Sequence, residues 1–203
     1  MNLPNKITLT RIFMIPVFVA VFFLDGVIPF AYGIAALIFV LAACTDFIDG
    51  HIARSRGLVT NLGKFLDPIA DKVLVSTAMI LILTMQRSLF AIFGAHAEWL
   101  YITTAICICV IMARELIISA FRQIAAVNGV VMAADKLGKF KTIFQDVAIF
   151  ILILVGGIVD LNAFTVGKYV AILGFVLFAV ATILTVWSGI SYVVKNKKVL
   201  KDA

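Results

Sequence analysis

"TDFIDGHIARSRGLVTNLGKFLDPIADK", residues 45–72, is the stretch whose reading decides the fold. It follows eighteen residues, Val27 to Cys44, that carry no charge. It then sets four aspartates and four Lys or Arg residues where hydropathy would place the ends of two membrane helices. A carboxylate at the centre of a bilayer costs about 2.5–3.5 kcal/mol on insertion scales, so acids in such a place are read as functional.

The rest of the chain supplies the membrane. Of its 203 residues, 64% are hydrophobic and 14% are charged, and the mean hydropathy is +1.16. Soluble domains run at about 45–50% apolar and about 25% charged, which excludes an ordinary soluble domain. Apolar stretches recur at Ile12–Leu24, Val27–Cys44, Val73–Met85, Trp99–Ala113, Val147–Val159 and Tyr169–Ile190. Several are shorter than the ~20 residues that span a bilayer, so their flanks must bury polar residues, with the first extended back through Ile7 and the fourth forward through Phe121. The expectation is one all-α domain over residues 1–203, a bundle of six transmembrane helices. The Asn/Pro signal in "NLPNKITLTRI" allows a short interfacial helix before the first span. The alternation of a membrane β-barrel is absent. Met1–Leu24 has a basic start and an apolar core, but "LDGVIPF" lacks the small residues of a cleavage site, so an uncleaved first helix is expected.

Charge sets the orientation. Counted on alternate sides, Lys6, Arg11, Arg54, Arg56, Lys64, Lys136, Lys139, Lys141, Lys195, Lys197, Lys198 and Lys201 share one face, against Arg87 and Lys168 on the other. Positive charge stays inside. A multi-pass protein of the plasma membrane is therefore expected, with both termini and the aspartate-rich end facing the cytoplasm. The net charge of +6 suits anionic membrane lipids or an anionic substrate and does not argue for nucleic acid. Cys44, Cys107 and Cys109 lack the spacing of disulfides or zinc sites and read as packing residues. His51 and His96 fall in different loops, which argues against a joint metal site.

On a helix, residues three and four apart share a face. Asp46, Asp49, Gly50 and Ala53 then fall within about 100° of arc, and Gly63, Asp67 and Asp71 within about 80°. "ARSRGLVTNLG" between them can reverse the chain, so that two helices converge four carboxylates on one pocket. Four such groups cannot stay ionised together without a counter-charge. An all-oxygen site suits Mg²⁺, Mn²⁺ or Ca²⁺, and four acids are enough for two ions of the kind that stabilise phosphoryl displacement. Gly50, Ala53 and Gly63 clear the stripe for a bulky group, and Arg54 suits a phosphate. Structural alternatives exist for single positions: Asp67-Pro68 as a helix cap, Asp71–Lys72 or Asp49–Arg54 as ion pairs, and small residues for helix packing. None accounts for the whole constellation.

The pattern D46-x-x-D49-G50-x-x-A53-R54-x8-G63-x3-D67-x3-D71 resembles the signature of the CDP-alcohol phosphatidyltransferases at every specified position and interval. The resemblance implies six membrane helices, a CDP-diacylglycerol-type donor and a cytoplasmic divalent-metal site. It implies that Asp46, Asp49, Asp67 and Asp71 serve the metals, two Mg²⁺ or Mn²⁺ ions, with Asp71 also the general base. Asp49, Gly50 and Arg54 would meet the donor, with Thr60, Asn5 and Thr8 nearby.

A second constellation bears on the acceptor. "ARELIISAFRQ" carries Arg114 and Arg122, and "DKLGKFKTIFQ" carries Lys139 and Lys141. Two buried arginines need anions: either Glu115 and Asp146, as a purely structural network, or the phosphate of an acceptor. "NLPNKITLTR", "ARELIISAFR" and "GKFKTIFQ" are similar to the phosphatidylglycerophosphate synthase branch, which implies sn-glycerol 3-phosphate as the acceptor. A sister enzyme using another alcohol stays open. A divalent-cation transporter is the reading from another class, but helices two and three carry no acid beyond Cys44 or Val73 to continue a path. Gly174 and Gly189 offer either a homodimer contact or packing within the subunit.

Overall fold

The computed structural model describes residues 3–55, 61–127 and 136–195. They form six long helices: α1 (Leu3–Phe22), α2 (Ala31–Ser55), α3 (Asn61–Thr84), α4 (Ala97–Val127), α5 (Lys136–Asp160) and α6 (Phe164–Lys195). No strand occurs among the described residues. The stretches Gln86–Gln123, Phe140–Asp160 and Phe164–Lys195 are long and apolar enough to cross a membrane, while α1 and α2 carry shorter apolar runs, Ile7–Phe22 and Ala31–Thr45. The protein is an all-helical membrane protein.

Two boundaries differ from expectation. Residues 3–11 continue into α1 without a break, so the described part of the N-terminus is not a separate interfacial helix. Pro4 lies in the first turn, where its missing N–H has no helical partner to lose. Val27–Phe30 is not part of α2: Gly26 and Phe30 adopt positive φ of 81° and 62°, and the chain turns there. Apolar composition alone does not distinguish a helix from a tight apolar turn. The stretch "QRSLFAIFGAH" forms a π turn, Gln86–Phe90, and a 3-10 segment, Ala91–His96. In the π turn the amide of Phe90 reaches the carbonyl of Met85 at 3.4 Å.

The turn from α5 to α6 is closed by Asn162, which takes the left-handed conformation (φ 59°). Its amide donates to the Val159 carbonyl at 2.9 Å, and the amide of Ala163 donates to that of Ile158 at 3.3 Å. This paired closure is a Schellman motif, which satisfies carbonyls that a helix end leaves bare.

Contacts run from α1 to α2 and α3, from α2 to α5, from α5 to α6, and from α6 to α4. Phe18, Phe22, Phe39, Met79, Ile82, Met85, Ile111 and Ile149 are wholly buried between them. Toward the α1–α2 turn, aromatic rings fill glycine gaps. A Cβ on Gly33 or Gly157 would collide with the ring of Phe30, and one on Gly156 with Tyr32 and Met85. On the outside, Leu173, Val176, Ile183 and Ile190 of α6 are exposed, as lipid requires of a spanning helix. Trp99 and Tyr169, 68% and 71% exposed near the starts of α4 and α6, suit the interfacial aromatic belt.

The two glycines of α6 take the second of their alternatives. Gly174 and Gly189 are buried and face the subunit's own interior: a Cβ would meet Leu152 at 2.8 Å in the first case and Arg114 at 3.0 Å in the second. They give no support to a dimer. Cys107 is half-buried and packs against the core, as read from the sequence, whereas Cys44 and Cys109 are exposed.

Candidate active site

The backbone carries the aspartate pattern as its spacing demands. Asp46, Asp49, Gly50, Ala53 and Arg54 lie on the last turns of α2, and Gly63, Asp67 and Asp71 on the first half of α3. The two helices pack on each other. The side chains of Asn5, Asp46, Asp49, Arg54, Asp67 and Lys139, and the whole of Thr60, lie outside the described residues. Among the described residues, no three metal-binding side chains cluster; of the four aspartates, only the Asp71 side chain belongs to that set.

Asp71 is exposed and lines a cavity of about 320 Å³ between α2, α3, α4 and α5. Lys72, Ser76, Glu115, Gln145 and Asp146 share its wall with Ala43, Met79 and Met112. Polar groups thus stand over an apolar floor. Gln145 is 4% exposed, and its amide nitrogen lies 3.8 Å from the sulfur of Met79.

Cations gather on one carboxylate. Arg114 Nη1 lies 3.1 Å from Glu115 Oε1, and Lys141 pairs with the same oxygen. Lys72 Nζ bonds to Ser119 Oγ and lies 3.5 Å from the Glu115 carbonyl oxygen. Arg114 and Lys141 thus share one carboxylate, and Lys72, Asp71 and Asp146 line the cavity beside them. Lys141 is 4% exposed, and a cation so deeply buried requires a partner. Glu115 therefore does the pairing that the structural reading assigned to it, while Asp146 lines the cavity.

Arg122 departs from expectation. It is exposed, and its Nε donates to the Tyr192 hydroxyl at 3.1 Å, with the guanidinium carbon 5.2 Å from the ring centroid. Arg114 Nη2 donates to Ser188 Oγ at 2.9 Å. Arg114 Nε and Thr185 Oγ1 are buried with no hydrogen-bond partner among the described residues. A purely structural network would be expected to satisfy them, because a buried unpaired donor costs about 1–3 kcal/mol.

Sequence reasoning missed several members. Arg11, counted as a loop charge, is fully buried, and its Nε donates to Thr45 Oγ1 at 3.1 Å, next to Asp46 in the chain. Its position within the polar start of α1, three residues after the buried Thr8, was the available signal. Lys72, for which an ion pair with its sequence neighbour Asp71 is one structural alternative, reaches across to Ser119 of α4. Ser188 and Tyr192 left no signal, because they sit within an apolar helix at no marked motif.

The CDP-alcohol phosphatidyltransferase family model matches residues 1–187. The chain belongs to that family. It is 38% identical to the CDP-diacylglycerol–glycerol-3-phosphate 3-phosphatidyltransferase of Bacillus subtilis, across 100% of this chain and 98% of the relative. Proteins of the same name from Rickettsia bellii (37%; 97% of this chain and 96% of the relative) and Salmonella paratyphi A (39%; 94% and 92%) match almost as fully. The likeness thus spans α1 to α6 and is not limited to the aspartate motif.

Proposed function

We propose that this phosphatidyltransferase moves the phosphatidyl group of CDP-diacylglycerol to sn-glycerol 3-phosphate, releasing CMP and forming phosphatidylglycerophosphate. The full-length similarity to relatives bearing that activity in their names supports the reaction. The observation from the fold that carries it is the cavity itself, with Asp71 and Lys72 on its wall and Arg114 and Lys141 gathered on Glu115 beside it. A carboxylate there suits proton abstraction from an alcohol, and guanidinium and ammonium groups suit a phosphate.

Asp46, Asp49, Asp67 and Asp71 would hold two Mg²⁺ or Mn²⁺ ions. Their fit rests on the donor set: carboxylate oxygens alone, on two packed helices, at the spacings of one helix face. When bound, such ions neutralise a pyrophosphate and stabilise the leaving nucleotide. Asn5, Thr8, Asp49, Gly50, Arg54 and Thr60 would receive the donor, Gly50 by the space it leaves and Arg54 by its charge. Arg114, Arg122, Lys139 and Lys141 would hold the acceptor's phosphate. Asp71 would accept the proton of the acceptor's primary hydroxyl as that oxygen attacks the phosphatidyl phosphorus. The phosphorus–oxygen bond to CMP then breaks, and the nucleotide keeps the electron pair.

In this reading the chain is one domain with six spans in the plasma membrane, both termini in the cytoplasm and the site on that face. The distribution of Lys and Arg supports the orientation. A boundary position also accommodates a donor whose nucleotide is hydrophilic and whose acyl chains stay in lipid. The test is CMP release by purified protein with Mg²⁺ or Mn²⁺, with and without glycerol 3-phosphate, beside a panel of other alcohols. CMP release dependent on glycerol 3-phosphate is expected; stronger dependence on another alcohol would reassign the acceptor.

A further inference from the structure

The geometry points to Ser188, Gly189 and Tyr192 of α6 as positioning residues that aim Arg114 and Arg122 at the acceptor's phosphate; this rests on the acceptor reading above. Ser188 and Tyr192 are one helical turn apart and share a face. Ser188 Oγ donates to the Thr185 carbonyl at 3.1 Å, which leaves its lone pairs for Arg114 Nη2 at 2.9 Å. The hydroxyl is thereby oriented as an acceptor. A Cβ on Gly189 would lie 3.0 Å from Arg114 Cγ and 3.1 Å from its Nε, so even a methyl group there would press that arginine aside by a few tenths of an ångström. Tyr192, 4% exposed, takes the Nε hydrogen of Arg122 on its hydroxyl at 3.1 Å. Its ring is braced edge-on by Phe121 at 6.2 Å.

The chemistry of these contacts separates them from Glu115. A guanidinium has five N–H donors in a fixed fork. A hydroxyl that takes one of them fixes the fork's direction and leaves its charge intact, whereas a carboxylate also neutralises it. Tyr192 holds Arg122 without neutralising it, and Ser188 fixes the direction of Arg114, which also pairs with Glu115; both arginines keep N–H groups for an anion that accepts in bidentate fashion. The α6 residues also lie beyond residue 187, where the family match ends, so the shared pattern does not assign them.

The full-length protein is tested in detergent micelles as Ser188→Ala, Gly189→Ala and Tyr192→Phe, with Arg114→Ala and Arg122→Ala in parallel. Because these residues act on the phosphate only through the arginines, each variant should raise KM for glycerol 3-phosphate by about three- to twelvefold, less than loss of an arginine itself, with KM for CDP-diacylglycerol changed less than about twofold. Ser188→Thr, which keeps the hydroxyl, should restore KM toward the parent value. Tyr192→Phe and Ser188→Ala remove little volume, so they keep the test decisive if Gly189→Ala fails to fold. If the arginine variants raise KM for glycerol 3-phosphate and the α6 variants do not, or the α6 variants raise both KM values equally, the positioning role is overturned. If the arginine variants also leave KM unchanged, the acceptor reading itself falls, and this inference with it.

Discussion

The two ends of the bundle solve opposite problems. At the turn between α1 and α2, the rings of Phe30 and Tyr32 fill the space left by Gly33, Gly156 and Gly157. The close approach of the helices there rests on shape, because small residues let helices approach closely. At the other end, Lys72, Arg114 and Lys141 surround Glu115, and Arg11 is buried beside Thr45. Burying such groups costs stability unless they are paired, and here Arg114 still retains an unpartnered Nε among the described residues. One end is closed by rings seated on glycines, the other holds a cluster of buried charge, and substitutions should tell them apart.

The largest effect is expected at the aspartates. Asp46→Asn, Asp49→Asn or Asp67→Asn should abolish CMP release and weaken divalent-metal binding while the protein still folds, as read by its elution as a monodisperse species. Activity retained by any two of them at saturating metal would remove the metal site from this end of the bundle.

Asp71→Asn comes next. A general base contributes about 10²–10⁴-fold, so this variant should bind Mn²⁺ and CDP-diacylglycerol nearly as the parent does yet turn over at least about 10²-fold more slowly. Calorimetric titration of metal and donor, beside the rate, separates the roles. Recovery of the rate in excess metal would make Asp71 a ligand first.

Arg114→Ala or Arg122→Ala should act on the acceptor alone. Losing a charged hydrogen-bond partner costs roughly 1.5–3 kcal/mol, which corresponds to a rise of about 10- to 150-fold in KM for glycerol 3-phosphate. Equal changes for both substrates would instead make the cluster around Glu115 a structural device, and the contrast between the two ends would weaken.

The smallest effect, and the sharpest control, lies at the packed end. A Cβ on Gly157 would sit 2.7 Å from Phe30 and 2.9 Å from the backbone nitrogen of Gly33, which cannot move aside. Gly157→Ala should cost about 1–3 kcal/mol of stability by overpacking, seen as a lower midpoint of thermal unfolding, with both KM values unchanged. A shift in either KM would show that the two ends are coupled.

Much of this was legible before any coordinates. The apolar runs demanded helices because a membrane leaves backbone groups no other partner, and the helical period placed Asp46, Asp49, Asp67 and Asp71 on two stripes. Both are local properties, decided within a few residues of chain. What the period could not tell was which residues from distant helices meet. Val27–Phe30 is as apolar as the helix it precedes, and only the positive φ of Gly26 and Phe30 shows the turn. Gly174 and Gly189 carry the same signal whether they face a second subunit or their own; the Leu152 and Arg114 side chains lying against them decide it.

The cation cluster divides the same way. That Arg114, Arg122 and Lys141 need partners follows from their charge in an apolar chain. That Arg114 divides its donors between Glu115, one residue away, and Ser188, 74 residues on, is set by the packing of α6 against α4. Arg11 and Lys72 show the limit most clearly: a long cationic side chain covers several ångströms in any direction, so its neighbours in sequence are poor guides to its partner. The sequence by itself determined an all-helical membrane protein with its four clustered aspartates on two successive helices, because those follow from hydropathy and period. Only the tertiary structure decided which cations share one carboxylate and which are held by neutral hydroxyls, because that depends on the reach of side chains across helices far apart in the chain.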